Sequence, residues 1–109
     1  MADIDELKSK VGETETSVEG FEIEGGKVAE FARAIGDDNP VYHSEDAARE
    51  RGFRAIPAPL TFTRVAVFPR YRPSDSSRLG FELGFDVRRE IHGEQAYEFE
   101  RPVFVGDVL

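Results

Sequence analysis

A chain of 109 residues, 39% hydrophobic and 33% charged, is long enough for one small domain with a single core and too apolar for a disordered one. Its formal net charge of −8 repels phosphate backbones and anionic lipids, which argues against nucleic-acid and membrane-surface roles. The absence of cysteine excludes disulfides, thiolate metal sites and a thiol nucleophile. The first residues, Met1-Ala2-Asp3-Ile4-Asp5, are acidic and lack the apolar run of a secretory signal, and no apolar stretch is long enough to span a bilayer. A cytoplasmic location is expected.

Residues 1–16 read as a polar leader with a short helical turn near Ile4–Leu7, and the domain proper as 17–109. Phe21 and Ile23 alternate with glutamates, which predicts a short strand or extended lead-in ending at Gly25-Gly26. From Lys27 the period changes. Val28, Phe31, Ala32 and Ile35 form one apolar stripe of a helix, with Gly36 as the residue that ends it. Asp37 to His43 must be a loop, because Pro40 biases Asn39 away from helical angles.

Ser44 is a suitable N-cap for a second short helix. Glu45 and Asp46 fall in its first turn and Arg49 and Arg51 in its last, before Gly52. Ala55 to Pro59 is extended and leads into an apolar run, Leu60, Phe62, Val65, Ala66, Val67 and Phe68, that suits a buried central helix ended by Pro69. Residues 70–80 read as an exposed loop, and Phe81 to Val87 as extended or strand. Tyr97, Phe99, Arg101 and Val103 alternate against Glu98 and Glu100, a clearer strand, and Gly106-Asp107 then makes a turn. Two strands and three helices do not close a sheet, so the chain reads as a partial domain whose remaining strands lie beyond Leu109 or come from another polypeptide.

The run Ala34-Ile35-Gly36-Asp37-x-Asn39-Pro40, followed by an aromatic or histidine, resembles the hydratase signature of the MaoC-like dehydratase/hydratase family. Gly52-Phe53, Ile56 to Phe62, His92-Gly93-Glu94-Gln95, Arg101-Pro102 and Gly106-Asp107 follow in the order of its N-terminal, fatty-acid-synthase-like dehydratase domain. The resemblance covers residues 11–109. It implies an α+β hot-dog fold, an antiparallel sheet around a central helix, here truncated after the first strands. It also implies hydration of enoyl thioesters or dehydration of 3-hydroxyacyl thioesters. The substrate would be an acyl-CoA or acyl-carrier-protein thioester, without metal or other cofactor. The expected partner is a second hot-dog domain or subunit in a homo- or heterodimer.

Adding water across an enoyl thioester needs a base for the water, an acid for the α-carbon and donors for the developing enolate oxygen. In active members an Asp and a His five positions apart flank the water, and an amide at the start of the central helix binds the thioester oxygen. Carried onto this chain, Asp37 and Asn39 match, while the His position falls on Tyr42 and His43 comes one place later. The oxyanion-binding amide falls on Pro59, which has no N–H. The resemblance thus implies Asp37 and His43 as catalytic candidates, and Asn39, Tyr42, Pro59, Leu60, Thr61 and Phe62 as the substrate-binding set.

Other readings stand beside these. Asp37 and Asn39 are also what a helix end and a tight turn require, and His43 is also the residue before a helix cap. His92, beside Gly93, reads as a turn residue, and the spacing of His43 and His92 does not suggest a metal site. Arg64, Arg70, Arg72 and Arg78 are candidates for meeting a carrier phosphate. Three functions follow: a half or subunit that binds acyl chains while a partner hot dog completes catalysis; a self-sufficient hydratase using Asp37 and His43; or a non-catalytic acyl-thioester-binding or assembly module.

Overall fold

The computed structural model describes residues 3–16, 18–67, 84 and 86–109. Among the described residues there are three α-helices, α1 (Ile4–Ser9), α2 (Gly25–Ala34) and α3 (Glu45–Glu50); a 3₁₀ turn at Pro40–Tyr42 joins α2 to α3, and two more, Phe62–Val67 and Val87–Arg89, follow α3. α1 is capped by Asp3, whose side chain accepts the amide of Asp5, and it buries none of its residues.

The segment 103–109 ties the domain together. Phe21 and Leu109 exchange both backbone hydrogen bonds, at 3.0 and 2.9 Å, and Ile23 N–H donates to Asp107 at 2.9 Å. Just upstream, Ala58 N–H donates to Val103 at 2.7 Å and Val105 N–H to Ile56 at 2.9 Å. Both pairings are antiparallel. Between them the chain turns, with Asp107 N–H donating to Phe104 at 3.0 Å and Gly106 at φ +96°, a region open to glycine at little cost. One C-terminal segment thereby fixes two remote segments, 21–23 and 56–58, from which α2 and the Phe62 turn are launched. The mixture of helix and antiparallel pairing agrees with an α+β class.

Phe62 is the hub of the core. It is fully buried, meets Phe31 edge-on at 5.5 Å between ring centroids, and lies 6.4 Å from Phe21. Ile23, Val28 and Val65 complete the buried cluster, with Tyr42, Ile56 and Ala58 packed against its edge. Such edge-to-face aromatic contacts contribute about 0.5–1.5 kcal/mol beyond area burial.

Several expectations need correction. Gly25-Gly26 does not end a strand but forms the first turn of α2, the extended part stopping at Glu24. Ile35 leaves the buried stripe: it is the C-cap of α2 and half exposed, whereas Val28 and Ala32 are fully buried. The run from Leu60 is not an α-helix in its described part but a 3₁₀ turn over Phe62–Val67. The strand expected from Tyr97 is not in a ladder. Residues 91–102 make no backbone hydrogen bond, and pairing begins only at Val103. Alternation marks a face but supplies no partner for the backbone. The loop expected at 70–80 lies outside the described residues, as does most of Phe81 to Val87, whose last residue opens a 3₁₀ turn.

Candidate active-site loop

The loop from Gly36 to Ser44 is built by a relay of side-chain and backbone caps. α2 ends in a complete Schellman motif: Gly36 N–H donates to Arg33 at 3.1 Å and Asp37 N–H to Ala32 at 2.8 Å, with Gly36 at φ +74°. The residue after such a glycine is often apolar and packs back onto the helix. Here it is Asp37, and its Oδ1 accepts the amide of Asn39 at 3.0 Å. Asn39 repeats the device, its Oδ1 accepting the amide of Val41 at 3.2 Å, and Pro40 opens the 3₁₀ turn where a missing N–H costs nothing. Ser44 then accepts the amide of Ala47 at 3.2 Å and starts α3.

This relay fixes where the next side chains go. Val41 is buried, and Tyr42 is half-buried at the margin of the Phe62 cluster. Burial, and secondarily the negative charge of Asp37, pushes the Tyr42 phenol above its ordinary value. At neutral pH it is therefore a protonated donor and not a base. His43 ends the 3₁₀ turn, its N–H donating to Pro40 at 3.0 Å, and its Nδ1 is buried without a hydrogen-bond partner.

Asp37 and His43 line one open cleft of about 360 Å³ together with Arg33, Gly36 and Asp38. The two catalytic candidates are thus brought to one place. Arg33 and Asp38 were not singled out from the sequence. The signal for Arg33 was its place in the last turn of α2, directly before the loop. Asp38 occupies the variable position of the Gly-Asp-x-Asn-Pro run.

The second group of candidates stands apart from this cleft lining. Pro59 is buried, and its carbonyl accepts the amide of Phe62 at 2.8 Å. Leu60 is 72% exposed and Thr61 is exposed, while Phe62 belongs wholly to the core. Tyr42 links the two groups, since it neighbours Asp37 in charge and packs on the Phe62 cluster. His92 is exposed, and no helix among the described residues is long and apolar enough to cross a membrane.

A separate polar cluster secures the turn before Leu109. Asp107 accepts the amide of Phe104 at 3.0 Å, Arg54 at 3.0 Å and Arg101 at 3.3 Å. The Arg54 guanidinium also lies 4.4 Å over the Phe104 ring. The Phe104 amide, above all, holds the Asp107 carboxyl below the usual carboxylate range; burial, the next effect in size, opposes it, and Arg54 and then Arg101 add to the lowering. Arg101-Pro102 and Gly106-Asp107, noted from the sequence as motifs, are therefore parts of one structural clasp.

The family described as the FAS1-like dehydratase domain region matches residues 9–109. A UPF0336 protein of Streptomyces avermitilis is 35% identical over 102 residues, which are 94% of this chain and 66% of that protein. UPF0336 protein ML1908 of Mycobacterium leprae is 46% identical over 80 residues, 73% of this chain and 46% of that protein. The chain thus spans about two thirds of the one relative and under half of the other. Among solved structures, the C-terminally truncated HadBC (3R-hydroxyacyl-ACP dehydratase) complex of Mycobacterium tuberculosis matches with a TM-score of 0.59 and 28% identity, over 87% of this chain and 73% of that one. With the ordered motifs and the capped Gly36–His43 loop, these likenesses make the chain a member of the FAS1-like dehydratase domain region, a MaoC-like hot-dog domain.

Proposed function

We propose that this chain is a hot-dog half or subunit of an enoyl-thioester hydratase or 3-hydroxyacyl-thioester dehydratase, which shapes the acyl site while a partner hot dog completes the catalytic pair. The carrying observation is that Tyr42, standing where active members place a histidine, is a half-buried phenol with its proton retained. Hydration requires a group that takes a proton from water near neutral pH, and a phenol raised above about 10 does not do so. Pro59 reinforces the reading, since it brings no N–H to a developing enolate oxygen, and losing one such donor costs about a hundred- to a thousandfold in rate. What this half retains suits binding. Asp37 and Asn39 fix the loop backbone, Tyr42 offers a hydroxyl donor at the edge of an apolar core, and the likeness to the HadBC (3R-hydroxyacyl-ACP dehydratase) complex supports a partnered arrangement.

A second reading, self-sufficient hydration by Asp37 and His43, is favoured by one observation: both side chains line the same cleft, and His43 Nδ1 has no partner. Calorimetric titration with butyryl-CoA, which is saturated and cannot be hydrated, tests the binding half of the proposal. Saturable binding weakened by Tyr42→Ala is expected. A flat titration of the folded chain removes the acyl site from this half.

A further inference from the structure

His43 meets the cleft through one nitrogen only. Its Nδ1 is buried without a hydrogen-bond partner, and the chain itself makes that enclosure, so nothing placed on the surface reaches the atom. Nε2 is neither enclosed in this way nor hydrogen-bonded to another residue. The ring is partly buried and stands in the cleft wall beside Arg33, Asp37 and Asp38. Its backbone is fixed between two capped turns, since the amides of His43 and Ser44 both donate to the Pro40 carbonyl at 3.0 Å. Every polar contact between His43 and a molecule in the cleft therefore runs through Nε2.

An uncharged imidazole carries its proton on one nitrogen and accepts at the other. A hydrogen on Nδ1 would need both room and an acceptor inside the packed chain, and no acceptor is there. Orphaned buried N–H groups are rarer than underused acceptors, and a bare lone pair needs no room. The proton accordingly belongs on Nε2, where it faces outwards as a donor. A base needs its lone pair turned towards the water that it deprotonates, and the lone pair of this ring is shut away. Arg33 is a second donor in the cleft wall, while the carboxylates of Asp37 and Asp38 oppose an anion. The acceptor that suits such a wall is uncharged, as a carbonyl oxygen is.

We propose that His43 is a ligand-binding donor and not a base: its Nε2–H donates to a carbonyl oxygen of the thioester ligand. This rests on the acyl-site reading above and assigns one contact of that site. The tautomer is read on the free chain, so the failure of this assignment and the failure of the acyl site are distinguishable.

Nuclear magnetic resonance of the full chain with ring-¹⁵N histidine tests it. The chain has two histidines, and the exposed His92 serves as an internal standard. Spectra at pH about 8.5, above the ordinary histidine value of about 6.5, report the uncharged ring. His43 should show the single Nε2–H tautomer, and His92 the averaged signal of a ring that exchanges between two. Butyryl-CoA should shift the His43 Nε2 signal and leave that of His92 in place. An equal shift with CoA alone, which keeps the amide carbonyls of the carrier arm, assigns the oxygen to an amide; a shift with butyryl-CoA only assigns it to the thioester.

His43→Ala should weaken butyryl-CoA binding about three- to tenfold, and His43→Gln, which can place an amide N–H near the Nε2 position, should restore most of it. Unchanged amide exchange in α2 reports that each variant is folded. An Nδ1–H ring, or a mixture like that of His92, overturns the proposal whether or not the ligand binds. So does saturable binding that moves neither the His43 signal nor the affinity of His43→Ala, and so does a His43 Nε2–H already protected from exchange in the free chain. A flat titration beside an Nε2–H ring removes the acyl site, and the contact with it.

Discussion

The carboxylate of Asp37 accepts the amide of Asn39 at 3.0 Å, so the family's acidic residue is also the brace of its own loop. A side chain that holds backbone in this way contributes like a helix cap, about 1 kcal/mol. Asp37→Ala should lower stability by about that amount, and Asp37→Asn, whose carbonyl still accepts the Asn39 amide, by about half or less. Urea unfolding followed by circular dichroism reads both. Equal losses for the two variants would mean that charge, and not the hydrogen bond, stabilises the loop.

Two glycines give opposite expectations. Gly36 ends α2 at φ +74°, so Gly36→Ala should cost about 1 kcal/mol although no heavy atom lies within 4 Å of the added Cβ. Gly26 lies in the first turn of α2 with equally open space and no positive φ, so Gly26→Ala should stabilise by about 0.5 kcal/mol. Thermal unfolding of the pair measures the difference in sign.

Tyrosine titration tests the surroundings of Tyr42. Its absorbance change at the phenolate band should come at higher pH than a free tyrosine's, and Asp37→Asn should bring it down only partly. Burial is the larger cause and Asp37 the smaller. A complete return to the free value in Asp37→Asn would show that charge alone raises it.

Asp107 predicts a pH dependence. Its folded-state pKa lies below its unfolded value, so the stability it contributes is fully present above the unfolded value of about 4 and is lost as pH falls through the folded one. Asp107→Asn should therefore destabilise at neutral pH, by about 1–2 kcal/mol from lost charge-assisted hydrogen bonds. The gap between it and the parent should close as the pH drops below about 4. Denaturant midpoints of both proteins across that range measure it. A gap independent of pH would assign the loss to geometry instead of charge.

Local features were legible in the sequence and long-range ones were not. Ser44 as a cap, Gly36 and Gly52 as helix ends and the Gly106-Asp107 turn depend on neighbours within a few residues, and all are present. The motif order from Gly36 to Asp107 identified the family, and Asp37 and His43 do share a cleft. The alternation from Tyr97 was real but named a face without a partner. Periodicity after Leu60 could not tell a 3₁₀ turn from an α-helix, since Phe62 and Val65 share a face in either. The Arg54–Asp107 bond joins residues 53 positions apart and left no local trace, although both of its residues stood in the sequence.

The central claim is that this half binds the acyl group and leaves the proton transfers to a partner. Hydration of crotonyl-CoA by the purified chain alone, followed by loss of the enoyl-thioester absorbance, tests it most directly. The account predicts no turnover above that of buffer, in the parent and in Asp37→Asn and His43→Ala alike. Sustained turnover by the parent, abolished by both substitutions in variants that remain folded, would contradict it.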